Sequence, residues 1–254
     1  MIPNSIMKAV NYTGQNINGW YIGEKLDGVR GRWNGEKILT RTGNEVFAPE
    51  WFTDQLPVGV PLDGELHVGR RQFQQVLSYV RKDTPIDAEW AQVSFNVFDL
   101  LGPGGIESRF RFAADSIDGS EVARMIEHQV CLDEGEMHRI FDEIVSEGGE
   151  GVVLRKPGSL YKGGKSNDIL RYKERIFDEA VVEGYLAGGG KYEGMVGALL
   201  CRWNGMLIRV GTGLTDADRN HPPAKGSPVT FAYKGLTQGG VPRESAYIVN
   251  RNYE

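Results

Sequence analysis

The chain has 254 residues, of which 40% are hydrophobic and 25% charged, and its formal net charge is −5. These values suit one large or two modest globular domains and exclude collagen, coiled coil and extended disorder. No apolar run is long enough to cross a membrane as a helix, and the first residues lack the basic segment, apolar core and small-residue cleavage site of a secretory leader.

The first readable element is a hairpin. Trp33-Asn34-Gly35 closes an alternating stretch and Glu36 opens another, so Asn34-Gly35 is the expected two-residue turn. That register pairs Trp33 with Glu36, Arg32 with Lys37 and Arg30 with Leu39. Alternation then puts Arg30, Arg32, Lys37 and Arg41 on one face, shared with Leu39, and Val29, Gly31, Trp33 and Ile38 on the other. Phe73, Val76, Leu77 and Val80 carry a helical stripe. Asp133 and Glu136 form a capping-box pair ahead of Met137, Ile140, Phe141, Ile144 and Val145, and Gly148-Gly149 ends that helix.

Glu150-Gly-Val-Val-Leu-Arg155 reads as a short buried strand. From about Asp178 onward, short strands alternate with glycine-rich turns, with one helical turn at Asp216 to Arg219. Arg202-Trp203-Asn204-Gly205 repeats the letters of the first hairpin in different surroundings. Roughly five such strands in fewer than about 80 residues point to a small closed or nearly closed barrel. The expected organisation is α+β, with a larger domain over residues 1–176, a barrel over 177–254, and the boundary near 175–178.

Chemistry concentrates in Glu24-Lys25-Leu26-Asp27-Gly28-Val29-Arg30. A lysine amine is a nucleophile, a carboxylate two residues on orients it or binds metal, and an arginine meets phosphate or ribose. Four cations on the hairpin face beside Lys25 add an anion site; the negative total does not oppose this, because phosphate affinity depends on local clustering. The bland readings are a solvated Asp-Gly turn and ordinary exposed basic residues. Cys131 and Cys201 match no metal spacing and read as small core residues, which suits a reducing compartment. His67, His128, His138 and His221 show no metal spacing either.

Asp63-Gly-Glu-Leu66, Phe98-Asp99, Glu150-Gly-Val-Val153 and Leu170-Arg-Tyr-Lys173 follow Lys25 in that order. Each fragment is weak by itself, and Phe98 taken singly reads as core. The ordered set resembles the motif series of the covalent nucleotidyltransferase superfamily. Tyr21-Ile-Gly-Glu-Lys-Leu-Asp-Gly-Val-Arg30, Thr40-Arg-Thr-Gly-Asn44, Lys191-Tyr-Glu-Gly-Met-Val-Gly-Ala198 and Val210-Gly-Thr-Gly-Leu-Thr-Asp216 narrow it. Over nearly the whole chain it resembles the minimal bacterial E-type and phage ATP-dependent DNA ligases.

The resemblance implies a nucleotidyltransferase domain of antiparallel sheets with flanking helices, followed by an OB-fold barrel. It implies Lys25 as the residue that carries AMP, with Asp27 and Arg30 as its motif partners. Glu24, Glu65, Phe98, Lys165, Arg171 and Lys173 join Lys25 and Arg30 around the nucleotide. Phe98 would stack on adenine, Glu65 would contact ribose or metal, and Glu150 would help hold Mg2+ or Mn2+. Arg41 would lie near the nick 5′-phosphate, with Arg32 on the same DNA-facing side. Lys165 and Arg171 depart from the family's usual arginine and lysine, which keeps charge and changes donor geometry.

The implied reaction seals a nick in double-stranded DNA in three steps, through lysyl-AMP and an adenylated 5′ end. An unperturbed lysine amine costs roughly 4 kcal/mol to deprotonate at pH 7.5, so cations are expected around Lys25. A monomer is expected, with no membrane partner, in the cytoplasm, or in the periplasm if a leader has been removed. The competing readings are an RNA ligase or capping-type nucleotidyltransferase, and an OB-type binding protein without catalysis. Nicked RNA and triphosphate-ended RNA separate the first from a DNA ligase, and absence of any adenylate would favour the second.

Overall fold

The computed structural model describes residues 6–173, 176–237 and 239–251. Contacts divide the chain into two compact units, Met1–Lys173 and Glu174–Glu254. The expected boundary near 175–178 starts at Arg175, which lies outside the described residues.

The first unit is built on two mixed sheets. One has the strand order Met7–Asn11, Gly164–Lys173, Gly151–Arg155, Trp20–Glu24, Gln129–Cys131. Alternation sends Trp20, Ile22, Val152, Leu154 and Leu170 into a core with Met137 and Ile140 of the helix Glu134–Ser146. Residues one step along each strand face the other way. Val153 lies opposite Gly23 on one neighbour and Arg171 on the other, and Gly151 lies opposite Lys173.

The other sheet runs Glu45–Val46, Ile38–Thr40, Val29–Trp33, Leu62–His67, Ser94–Leu100, Ala123–Met125. Its core face carries Trp33, Ile38, Leu62, Leu66, Phe95 and Val97, packed with Phe52, Val76 and Trp90. Arg30 opposite Glu65 and Arg32 opposite Asp63 occupy the remaining face. Most pairings are antiparallel, as expected. Two are parallel: Met7–Asn11 with Gly164–Lys173, and Ser94–Leu100 with Ala123–Met125.

The hairpin at Asn34-Gly35 departs from expectation. Trp33 pairs with Ile38, Arg32 with Leu39 and Gly31 with Thr40, so the turn centres on Gly35-Glu36. The cause is a close approach. Gly35 has φ +97°, a Cβ there would lie 2.7 Å from Gly59 Cα, and Gly59 N donates to Gly35 O at 2.9 Å. Asn34 Oδ1 holds the new turn by accepting from the amides of Glu36 and Lys37. Moving the turn by one residue moves the register by two, so partners change while faces are preserved. Lys37 stays on the face of Leu39 and is neutralised there by Glu45 at 3.1 Å. The same four letters at 202–205 give the expected turn: Trp203 pairs with Met206, and Asn204 and Gly205 have φ +46° and +78°.

The helices Phe73–Val80 and Glu134–Ser146 coincide with their apolar stripes. Asp133 accepts from the Glu136 amide at 2.8 Å, while the Glu136 carboxylate reaches the Leu132 amide at 2.6 Å, one residue before the cap. The helix Ile106–Ser116 escapes the sequence reading because its buried positions are Ile106, Arg109 and Ala113, a stripe interrupted by a guanidinium.

The second unit is one antiparallel sheet, ordered Met206–Val210, Val196–Trp203, Ile176–Ala187, Pro228–Tyr233, Ala246–Asn250. The segment following Met206–Val210 reaches the opposite edge strand at the Thr212–Ala246 bridge, where Tyr247 N donates to Thr212 O at 2.8 Å. Leu199, Cys201, Trp203, Val229 and Phe231 fill the interior. Among the described residues, no helix is long and apolar enough to cross a membrane.

Candidate active site

The residue row Lys25, Gly23 and Tyr21 faces away from the core, so Lys25 enters a cleft of about 760 Å³ within the first unit. The backbone holds the lysine in place: Lys25 N donates to Gly151 O at 2.8 Å, extending the strand pairing by one residue. Gly28 is required by close packing. A Cβ there would lie 2.3 Å from Leu66 O and 2.8 Å from Glu65 Cγ. Gly151 has φ +148°, and a Cβ on it would meet Tyr172 O at 2.3 Å.

Three distant segments converge on the lysine. The Lys25 amine is paired with one Glu150 oxygen, and Lys173 Nζ lies 3.6 Å from the other. Glu65 comes from the facing sheet and lines the same cleft. Burial pushes its carboxyl up to about 8, with Asp63 and Glu150 adding to the shift and Lys25 and Arg30 opposing it. The expected cations do not meet Lys25 directly: its partner is Glu150, and Lys173 lies against the other oxygen of that acid.

Burial of Glu65 makes its protonated form the one that stabilises the fold. The folded state prefers the protonated acid, so this contribution is present below the ordinary carboxylate range and lost as pH rises through about 8. The metal-free protein should show a urea midpoint that falls between pH 6 and 9. Glu65→Gln should flatten that fall, and an unchanged slope in the variant would refute the assignment.

Arg30 is held by Asp63, which accepts from Nε at 2.9 Å and also from Nη2. Burial opposes the Arg30 charge, but Asp63 outweighs it and the guanidinium pKa is raised. Tyr161 donates to the same carboxylate at 2.6 Å; burial and then Asp63 push its hydroxyl up. Sequence reasoning quoted Asp63 within its motif and assigned it no role. Its neighbour Glu65, two residues along on the same face, was the available signal.

Phe98 reaches the cleft through a β-bulge. Val97 pairs with Gly64 and Asp99 with Asp63, so Phe98 is the extra residue between them. The guanidinium carbons of Arg30 and Arg155 lie 5.1 and 5.2 Å from its ring centre. The next residue, Asp99, accepts from Arg109 Nε at 2.7 Å and Arg155 Nη1 at 2.9 Å, all three groups being buried.

The remaining expected residues are placed as follows. Glu24 lines the cleft but its carboxylate is taken by Arg70, which donates to both oxygens at 2.9 Å. Asp27 is half-buried in the loop between the strands Trp20–Glu24 and Val29–Trp33. Arg41 and Lys165 are exposed on the cleft wall, and Arg171 lines it while donating to Asn11 Oδ1 at 2.8 Å. Arg32 lies on the Arg30 face, outside the cleft lining, with its Nε buried and unpartnered. Sequence reasoning missed Arg70, Arg155 and His128, each of which sits within or against the cleft.

Comparison with known proteins adds an independent line. Residues 3–173 match the ATP dependent DNA ligase domain and residues 187–251 the DNA ligase OB-like domain. A DNA ligase of Haemophilus influenzae is 32% identical over 247 residues, covering 96% of this chain and 91% of that protein. A DNA ligase of Pyrobaculum islandicum is 31% identical over 169 residues, which are 58% of this chain and 29% of that longer protein. Among solved structures, a Lig E DNA ligase described as binding DNA with a minimal scaffold superposes with a TM-score of 0.87 at 31% identity, over 98% of this chain and 100% of that one. The Chlorella virus DNA ligase–adenylate shares the fold, with a TM-score of 0.57 at 22% identity, over 98% of this chain and 99% of that one. A matched catalytic domain, a matched OB-like domain and a relative aligned along nearly its full length agree, and the chain belongs to the ATP-dependent DNA ligase family.

Proposed function

We propose that this ATP-dependent DNA ligase carries AMP on the Lys25 amine and passes it to the 5′-phosphate of a nick, which the neighbouring 3′-hydroxyl then attacks. The observation that carries the assignment is the meeting of Lys25 with Glu150 and Lys173 beside a cleft that Lys25 and Glu65 line together. Attack on the α-phosphorus forms a phosphorus–nitrogen bond, breaks the bond to pyrophosphate and releases the amine proton. Glu150 pairs directly with that amine and is placed to accept the proton. Arg30, Lys165, Arg171 and Lys173 supply positive charge for the phosphates, and Phe98 a face for the base.

The family works with ATP and a divalent metal. Mg2+ or Mn2+ fits the acids present here, because Glu65 is buried close to Asp63 and Glu150 and a cation offsets that crowding. Two carboxylates suit an ion that takes its remaining oxygens from phosphates and water. Glu65 and Glu150 would hold it, and it would neutralise phosphate charge.

We assign residues 1–176 to the adenylation domain and 177–254 to the OB-fold domain, acting as a monomer on nicked duplex DNA. A cytoplasmic location accords with two buried free cysteines. The test is a pulse with ATP labelled at the α-phosphate, divalent ion and nicked duplex. Label should appear on protein, move to the DNA 5′ end and leave as AMP as the strand closes. Label that never reaches protein would sink the assignment.

Arg32 and Arg41 are assigned to the DNA backbone. Removing one cation that neutralises a phosphate should reduce the slope of log affinity against log salt by about 0.9. The double Arg32→Ala, Arg41→Ala variant should therefore bind nicks more weakly, with a slope shallower by up to about 2. Unchanged affinity and slope would remove both residues from the interface.

A further inference from the structure

His128 shows no metal spacing in the sequence, yet it lines the cleft. Its place depends on Gly23. A Cβ at Gly23, on the face shared with Lys25, would lie 3.0 Å from His128 Cδ2 and 3.2 Å from Nε2, so the imidazole occupies the space that a side chain there would fill. The Phe110 ring lies against the imidazole, with centroids 4.5 Å apart and planes at 32°.

The tautomer follows from one hydrogen bond. His128 Nδ1 lies 2.7 Å from the Ile126 carbonyl oxygen, which can only accept, so Nδ1 carries the proton and Nε2 keeps a lone pair. Burial, reinforced by the Arg155 charge, holds the ring down at about 3, so it stays neutral at working pH. With Nδ1 tied to the Ile126 carbonyl and the ring lining the cleft, Nε2 is the remaining ring nitrogen. It is a fixed acceptor at the cleft wall.

Position indicates what it meets. From Lys25 to Gly23 is a two-residue step, roughly 7 Å along a strand. Val153 lies opposite Gly23 and Phe98 comes from the facing sheet with Arg155 against its ring, so the surfaces flanking the imidazole offer an aromatic face and apolar contact. A nucleotide joined to Lys25 by its phosphate would reach it with its base.

We propose that His128 is a specificity-determining residue for the nucleotide base, its Nε2 accepting a hydrogen bond from the exocyclic amino group of adenine. The proposal rests on the nucleotide occupying this cleft. A 6-oxopurine presents a carbonyl where adenine has the amino group, and two acceptors repel.

The experiment compares initial rates of protein labelling by α-labelled ATP and α-labelled inosine triphosphate, for wild type, His128→Phe and His128→Gln. Wild type should favour ATP at least about tenfold. His128→Phe keeps a ring against Phe110 and removes the acceptor; its ATP rate should fall about tenfold while the inosine nucleotide rate holds, collapsing the ratio. His128→Gln offers a carbonyl acceptor and should recover part of the preference. A His128→Phe variant that retains the wild-type ratio overturns the proposal, including when both rates fall together. In that case, labelled wild type leaves the assignment of the cleft intact, whereas unlabelled wild type overturns both.

Discussion

Lys25→Ala should abolish the protein–AMP adduct while leaving the fold in place. The lysine side chain is about a quarter exposed, at 24%, so its loss opens little space in the core. Glu150, relieved of one cation, keeps Lys173 at 3.6 Å. The backbone bond from residue 25 to Gly151 O is independent of the side chain. Only the nucleophile is lost: the other amine beside Glu150, that of Lys173, lies against the opposite carboxylate oxygen.

Lys25→Arg separates charge from nucleophilicity. It restores the cation but offers a guanidinium that does not give up its proton, and it too should form no adduct. Both variants should still close a nick whose 5′ end is already adenylated, since that step joins a 3′-hydroxyl to an activated phosphate without a free lysine. The measurements are gel label from ATP and closure of the pre-adenylated nick. An adduct on either variant would place the nucleophile elsewhere.

Asp99→Ala should cost the most stability of any single change considered. Asp99 is fully buried, and its carboxylate serves Arg109, Arg155 and the Leu100 amide. Arg109 further donates to the Gly104 and Ser159 carbonyls at 2.7 Å, tying the helix Ile106–Ser116 to the sheet and to a loop. Removing one partner of a buried ion pair costs about 3–5 kcal/mol, because the other charge stays behind without compensation. Here two cations are left. A loss at the upper end corresponds to a melting temperature lower by roughly 10–20 °C for a protein of this size. Asp99→Asn keeps shape and part of the hydrogen bonding and should lose less. Calorimetric unfolding of both variants decides it; a loss under about 1 kcal/mol for Asp99→Ala would show that water or rearrangement satisfies the two guanidiniums.

The site was largely legible as chemistry and poorly legible as geometry. Lys25, Glu65, Glu150 and Lys173 stand in ordered fragments whose residue types state a need, and strand alternation brings them to two facing sheet surfaces. Which partner each one takes depends on distances that sequence spacing does not encode. Glu24 is an example: as a carboxylate next to the lysine it suggests the nucleotide, yet Arg70 from 46 residues away occupies both its oxygens.

The turns show the same limit. Two identical tetrapeptides fold differently because Gly35 is pressed against Gly59, whereas a Cβ on Gly205 would meet open space. Local letters set the menu, and packing made elsewhere in the chain selects from it. Arg109 hid a helix for a related reason, since a buried cation is readable only once its carboxylate is known. His128 could not be placed at all without Gly23 beside it, because the space that receives the ring belongs to another strand.

The extra residue in the strand Ser94–Leu100 separates two demands that alternation would otherwise set against each other. Val97 and Leu100 pair with Gly64 and Leu62 toward the interior, three positions apart where a regular ladder allows two or four. The bulge thus frees Phe98 to face the cleft while Leu100, two residues on, returns to the interior, so one strand serves both surfaces.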